Sequence, residues 1–327
     1  MTGNNRPISD TRTAAQETCA CRAVAPTDAH EPRWHLVERR RGAFLERGLA
    51  GAMDSLRLHW PEYLMETAEV ALYLFLTCVF ASFLLHPASP VRHFIDSTTG
   101  LRALMGLAVG ATVVAIVVSP WGQQSGGHFN PAVTLAFYRL GKMGSADAIF
   151  YVVAQFSGAV GGVCVAKYLL PYPVGRAAVR YAVTVPGVRG SLPAFLGELT
   201  ISFVRMATIL VASNRETLAR YTPYFVGFLY ATFVILEAPL SGMSMNPARS
   251  FAPAMHAKYW HALWLYFMAP TLGMLVAAEV FLRSRGGAPP FCAKLDHANL
   301  ALQSVRLRVA RSLHISATTI FVSSIRI

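Results

Sequence analysis

Long apolar blocks, parted by short polar stretches, govern what this chain can become. Hydrophobic residues make up 54% of the 327 and charged residues only 14%, where soluble domains carry about 25% charged. About 20 consecutive apolar residues, each rising 1.5 Å, carry a helix across the hydrocarbon core of a bilayer. Six such spans are read, at about residues 62–85, 100–119, 146–170, 193–213, 222–240 and 260–282. A buried α/β domain does not repeat apolar blocks of this length. Each span carries closely spaced small residues, such as Gly106 with Gly110 and Gly158 with Gly162, which let membrane helices approach closely.

The net charge of +12 would suit nucleic acid, but its distribution does not. Arg39, Arg40, Arg41, Arg47, Arg215, Arg220, Arg283 and Arg285 sit in the tails and between the blocks. They read as topology determinants and lipid-headgroup partners, and no nucleic-acid partner is expected. Cys78 and Cys164 fall inside apolar blocks and Cys19, Cys21 and Cys292 outside them. No disulfide framework or zinc pair follows from that spacing, and the five are read as structural or incidental thiols. Residues 1–60 form a polar head without the apolar core of a signal peptide. It is expected to be disordered, with a surface helix over residues 34–58 as an alternative. The membrane domain then covers 61–285, in halves of about 61–170 and 190–285, and 286–327 is a tail.

Two segments are too short and too broken to span. Ser125-Gly126-Gly127-His128-Phe129-Asn130-Pro131-Ala132 and Ser241-Gly242-Met243-Ser244-Met245-Asn246-Pro247-Ala248 share the pattern Ser-Gly-x-x-x-Asn-Pro-Ala, each followed by a short apolar run. A glutamate also sits early in the first span (Glu66 or Glu69) and early in the fourth (Glu198). The chain is therefore two similar halves, each with three spans and one half-length segment. Three spans per half invert the second half relative to the first, and interrupted segments at matching positions point to a transport site near the midplane. The positive residues place both termini on the cytoplasmic side. Arg176, Arg180 and Arg189 run against that rule.

Proline is favoured at the first helical position and asparagine at the cap before it. Asn-Pro ahead of an apolar run therefore starts a helix. Two half-helices meeting amino end to amino end set Asn130 and Asn246 side by side at mid-membrane. Their side-chain amides are free to donate, and the carbonyls of residues 126–129 and 242–245 form a ladder of acceptors. Irregular backbone at that depth is tolerated where it lines a cavity or is buried in protein. Both half-helix dipoles turn positive ends toward the centre. Such a site suits a file of neutral, hydrogen-bonding molecules and opposes cations and protons.

On these motifs the chain resembles the major intrinsic proteins, the aquaporin and aquaglyceroporin family, over roughly residues 62–283, in a form that looks bacterial. Ala154-Gln155-Phe156-Ser157-Gly158-Ala159 resembles that family's third span, and Asn246-Pro247-Ala248-Arg249-Ser250-Phe251 its second loop. The resemblance implies an all-α hourglass of six transmembrane helices and two re-entrant half-helices. It also implies one pore per subunit, a homotetramer in the inner (plasma) membrane, and passage of water or small neutral solutes without cofactor or metal. Glu66 and Glu198 are implied to brace the two loops through backbone N–H groups. Glu69 reads as a helix-end residue at the interface, and Glu237 as a structural brace more than a pore residue. His128 is open between loop packing and pore lining.

The resemblance further implies an outer selectivity constriction, made here by Arg249, Met243, Val234 and Gly110. The last two come from ungapped counting to within one residue, with Val109 next in line. A Gly and a Val where strict water channels carry an aromatic residue and a His predict a wider, less polar opening. Ser250, Ala254 and Tyr266 favour the water branch, and Phe267 departs from its usual Trp. A glycerol facilitator is the alternative. A secondary transporter would need an acidic pair beyond Glu237, and an enzyme a nucleophile and base at one depth. Neither set is read in the sequence.

Overall fold

The structure is a computed structural model. It describes residues 33–172, 174–287, 290 and 292–295, with side chains from residue 51 onward. The described residues form helices and no strand. The long ones are α1 (Arg33–Leu85), α2 (Thr98–Val118), α4 (Ser145–Leu169), α5 (Ser191–Ser213) and α8 (Leu263–Ser284), each with a stretch long and apolar enough to cross a bilayer. The fifth span, α6 (Thr222–Leu236), is shorter than expected. It breaks at Glu237 and resumes as a single turn, Ala238–Ser241. Pro239 explains the break, because its ring clashes with a carbonyl one turn back and it has no N–H to donate. Between the spans lie two half-length helices, α3 (Pro131–Arg139) and α7 (Pro247–Ala257).

Residues 33–60, expected as a disordered head or a separate surface helix, instead continue into the first span as one helix. The expectation for residues 1–32, like Cys19 and Cys21, lies outside the described residues. Cys78 and Cys164 are free thiols, whereas Cys292 is disulfide-bonded, which corrects its reading as a thiol.

Glycines set how near the spans come. A Cβ on Gly158 would stand 2.1 Å from the Thr67 carbonyl oxygen, and one on Gly162 2.2 Å from that of Ala71, so α4 lies against α1 backbone to backbone. Gly106 and Gly110 do the same for α2 against α6, at 2.6 Å from Ala231 O and 2.5 Å from Gly227 O. Gly273 brings α8 onto α5, 2.3 Å from Leu199 O. These are the small-residue contacts that replace the hydrophobic effect as the association force in lipid.

Gly158→Ala should therefore force α1 and α4 apart and destabilise the protein by about 1–3 kcal/mol, the usual range for overpacking. Gly161→Ala, on the same helix with nothing within 4 Å of the added atom, should leave the midpoint of thermal unfolding in detergent unchanged. Equal midpoints for the two variants would contradict the close contact.

Candidate functional site

Both half-helices begin as their sequences dictate. Asn130 and Asn246 have extended backbone and cap the first turns. Asn130 Oδ1 accepts from Ala132 N at 2.9 Å, and Asn246 Oδ1 from Ala248 N at 3.0 Å and Arg249 N at 3.3 Å. With Oδ1 held, each Nδ2 points away from its own helix. Asn130 Nδ2 donates to the Met245 carbonyl at 2.6 Å and Asn246 Nδ2 to the Phe129 carbonyl at 2.8 Å. The two half-helices are thus stitched by a reciprocal pair of bonds. One amide hydrogen of each asparagine is used internally, and one remains to be offered elsewhere. The expectation of wholly free amides is corrected to that extent, and the Phe129 and Met245 carbonyls serve the stitch.

The chain reaches these caps through strained turns. Phe129, Met243 and Met245 have positive φ, as do Gly126, Gly127 and Gly242. Two buried carboxylates hold the turns. Glu66 accepts from His128 N at 2.9 Å through Oε1 and from Phe129 N at 2.8 Å through Oε2. Glu198 accepts from Ser244 N at 2.6 Å through Oε1 and from Met245 N at 2.7 Å through Oε2. Gln155 Nε2 also donates to Glu66 at 2.6 Å, and Ser241 Oγ to Glu198 at 2.7 Å.

The bonds of Glu66 and Glu198 to loop N–H groups match the expectation, whereas other contacts of the two loops have no counterpart in the sequence reading. Tyr151 Oη donates to the Ser125 carbonyl and Tyr266 Oη to the Ser241 carbonyl, matching bonds in the two halves. Tyr266 was read only as a mark of the water branch, yet it clamps the second loop. The equal placing of Ser125 and Ser241 in the two motifs was the available signal. Glu69, expected at the interface, is 2% exposed and accepts from Ser125 Oγ at 2.8 Å. Three residues on from Glu66, it lies on the same inward face of the helix. Glu237 stands buried at the α6 break, where a Cβ on Gly197 would lie 2.7 Å from its Oε1. His128 is fully buried, stacked on Phe137 at 5.0 Å, with Nδ1 at 3.1 Å from Thr134 Oγ1 and Nε2 donating to the Ala293 carbonyl at 2.7 Å. Those contacts are loop packing.

A cavity of about 450 Å³ opens on the side where α1 ends and α2 begins. Arg249, Met243, Val234, Val109 and Tyr73 are among its walls. Gly110 is not. It turns to the Gly227 carbonyl of α6, because on a helix one residue is a rotation of about 100°. The ungapped count is corrected by one, to Val109. Arg249 is 7% exposed, and its Nη1 donates to the Ala182 carbonyl at 2.8 Å. That carbonyl is presented by Arg180, Tyr181 and Ala182, all at positive φ. The loop between spans three and four, noted in the sequence only for its arginines, thus holds the guanidinium in place.

Asn246→Asp keeps an oxygen for the cap but sets an acceptor against the Phe129 carbonyl. The loss should be about 1–3 kcal/mol, typical of a buried group left unpaired, with a parallel fall in permeability. An Asn246→Asp protein with wild-type unfolding and wild-type flux would refute the stitch.

Comparison with known proteins agrees with this architecture. The family model described as "Major intrinsic protein" matches residues 55–281. Aquaporin NIP2-3 of Zea mays is 31% identical over 248 residues, 76% of each chain. Aquaporin-8 of Notomys alexis is 31% identical over 228 residues, 67% of this chain and 82% of that one. Glycerol uptake facilitator protein-like 6 of Lactiplantibacillus plantarum is 37% identical over 179 residues, 53% of this chain and 81% of its own. The X-ray structure of the aquaglyceroporin from Plasmodium falciparum superposes with a TM-score of 0.56 at 18% identity, covering 68% of this chain and 95% of that one. It shares the fold. A multi-pass membrane protein of six spans and two half-helices, the chain belongs to the major intrinsic protein family, whose members are passive channels and not enzymes.

Proposed function

We propose that the chain conducts water as its main solute and also admits glycerol and other small neutral molecules, while rejecting ions and protons. The observation that carries the reading is the apolar lining that shares the cavity with Arg249. Val109 and Val234 offer width and no hydrogen bond, with Met243 beside them. Arg249 offers fixed donors and a positive charge, and the paired asparagines offer donors deeper in. A solute must shed water against apolar walls and regain hydrogen bonds from few, fixed groups, which favours small neutral molecules. Relatives named as aquaporins and as a glycerol uptake facilitator are consistent with either solute. The roles of Arg249, Met243, Val234 and Val109 as constriction, and of Asn130, Pro131, Ala132, Asn246, Pro247 and Ala248 as the central restraint, belong to this proposal. So do a homotetramer, an inner-membrane location and termini on the cytoplasmic side.

Stopped-flow light scattering on proteoliposomes, under water, glycerol and urea gradients, tests the reading. Water and glycerol should both pass faster than through empty liposomes. Val109→Phe should lower glycerol flux by about tenfold, roughly 1.4 kcal/mol of added barrier, and lower water flux less. Gly110→Phe should instead disturb α2 against α6 and reduce the amount of folded protein. A wild-type protein that passes water but no glycerol would establish strict water selectivity, and one that passes neither would overturn the channel reading for both.

A further inference from the structure

Arg205 lies in the middle of α5 and is fully buried. Its Nε, Nη1 and Nη2 have no hydrogen-bond partner among the described residues, and no described carboxylate forms an ion pair with it. Its guanidinium instead lies 5.1 Å from the centre of the Tyr230 ring and 5.9 Å from that of Phe129. The Tyr230 hydroxyl likewise lacks a partner there. A cation inside a membrane bundle is costly unless it pairs or faces a water-filled path. Among the described residues no pairing partner meets it, while five N–H groups need acceptors.

The internal repeat places this side chain. Tyr73 stands seven residues after Glu66, two turns along the same face, and lines the cavity beside Arg249. Arg205 stands seven residues after Glu198, the matching register in the inverted half. Tyr230 stands one turn before Val234, a residue that lines the cavity, and its ring meets Tyr73 edge-on at 6.1 Å. Phe129 precedes Asn130 and gives its carbonyl to Asn246. Arg205 thus sits beside the ring of the residue that precedes Asn130, next to the asparagine pair.

We propose that Arg205 is a second selectivity residue of the permeation path, a fixed cation at the asparagine level that takes its acceptors from the passing file of water or other neutral solutes. The inference rests on the channel reading above. It makes cation rejection redundant, with Arg249 at the cavity and Arg205 below it. In proteoliposomes, Arg249→Val alone should raise the K⁺ and H⁺ leak only slightly, because Arg205 remains, and the double variant with Arg205→Leu is compared with it. The double variant should leak about tenfold faster or more, the barrier from positive charge having been removed at both levels. Arg205→Lys in the Arg249→Val background should restore tightness, which a merely structural role would not explain. Arg205→Gln serves as the neutral member if the Leu variant does not fold. The inference is overturned if Arg249→Val alone leaks as much as the double variant, or if the double stays tight while still passing water. Water flux on the same vesicles separates this failure from failure of the channel reading, in which even the wild type passes none.

A different observation carries a second inference. Residues 292–295 are buried against the first loop. Leu295 N donates to the Gly126 carbonyl at 3.1 Å, and His128 Nε2 donates to the Ala293 carbonyl. Gly126 follows the end of α2, so this is the side away from the Arg249 cavity. The Gly126 carbonyl belongs to the acceptor ladder leading to Asn130. We infer that residues 292–295 narrow the path on that side and lower flux. Leu295→Pro, which removes the donor, and Leu295→Asp, which puts a charge where the leucine is wholly buried, should release it. Losing one such bond shifts occupancy about fivefold. Both variants should raise water flux and speed amide exchange at residues 126–128. Unchanged flux with faster exchange would overturn the inference, as would exchange that does not change at all.

Discussion

The structure depends on irregular backbone held at a depth where water cannot satisfy it. Segments 126–129 and 242–245 are neither helix nor strand, and each unpaired N–H in hydrocarbon costs several kcal/mol. Two carboxylates answer this. Glu66 and Glu198 each take two consecutive amides through their two oxygens. A single acidic side chain thus replaces a turn of helix. With the turns fixed, the asparagine caps meet and each bonds to the other half's loop carbonyl.

The outer scaffold serves the same joint by a different force. Glycine contacts bring α1 onto α4, α2 onto α6 and α5 onto α8 at backbone distance. Tight helix pairs keep Glu66 within reach of Gln155, and Tyr151 and Tyr266 within reach of the loop carbonyls. Close packing therefore supplies the precision that buried hydrogen bonds need, since such bonds lose their worth over a few tenths of an ångström.

Charge is distributed along the path with matching economy. The half-helix amino ends, Arg249 and Arg205 are buried positive groups, while the two bracing carboxylates are engaged by N–H and O–H donors. Arg249 is restrained by a carbonyl from a loop in left-handed conformation, and Arg205 lies between aromatic rings. One guanidinium is oriented by a hydrogen bond and the other lies against ring faces.

Much of this was legible in the residues alone. Apolar block length implied spans and the twin Ser-Gly-x-x-x-Asn-Pro-Ala pattern implied facing half-helices, because both follow from local chemistry and spacing, while the family resemblance supplied the glutamate braces. What depends on rotation about a helix axis was not legible. Counting placed Gly110 toward the cavity, and only the packing of α2 on α6 turned Val109 there instead. Composition placed Glu69 at an interface, and the fold buried it under Ser125. The Ala182 carbonyl that restrains Arg249 lies 67 residues away along the chain, and backbone groups so distant carry no side-chain signature. Sequence determined which groups the chain owns and how its two halves correspond. Tertiary structure decided which of them face one another, because a single residue's rotation on a helix separates the path from the packing.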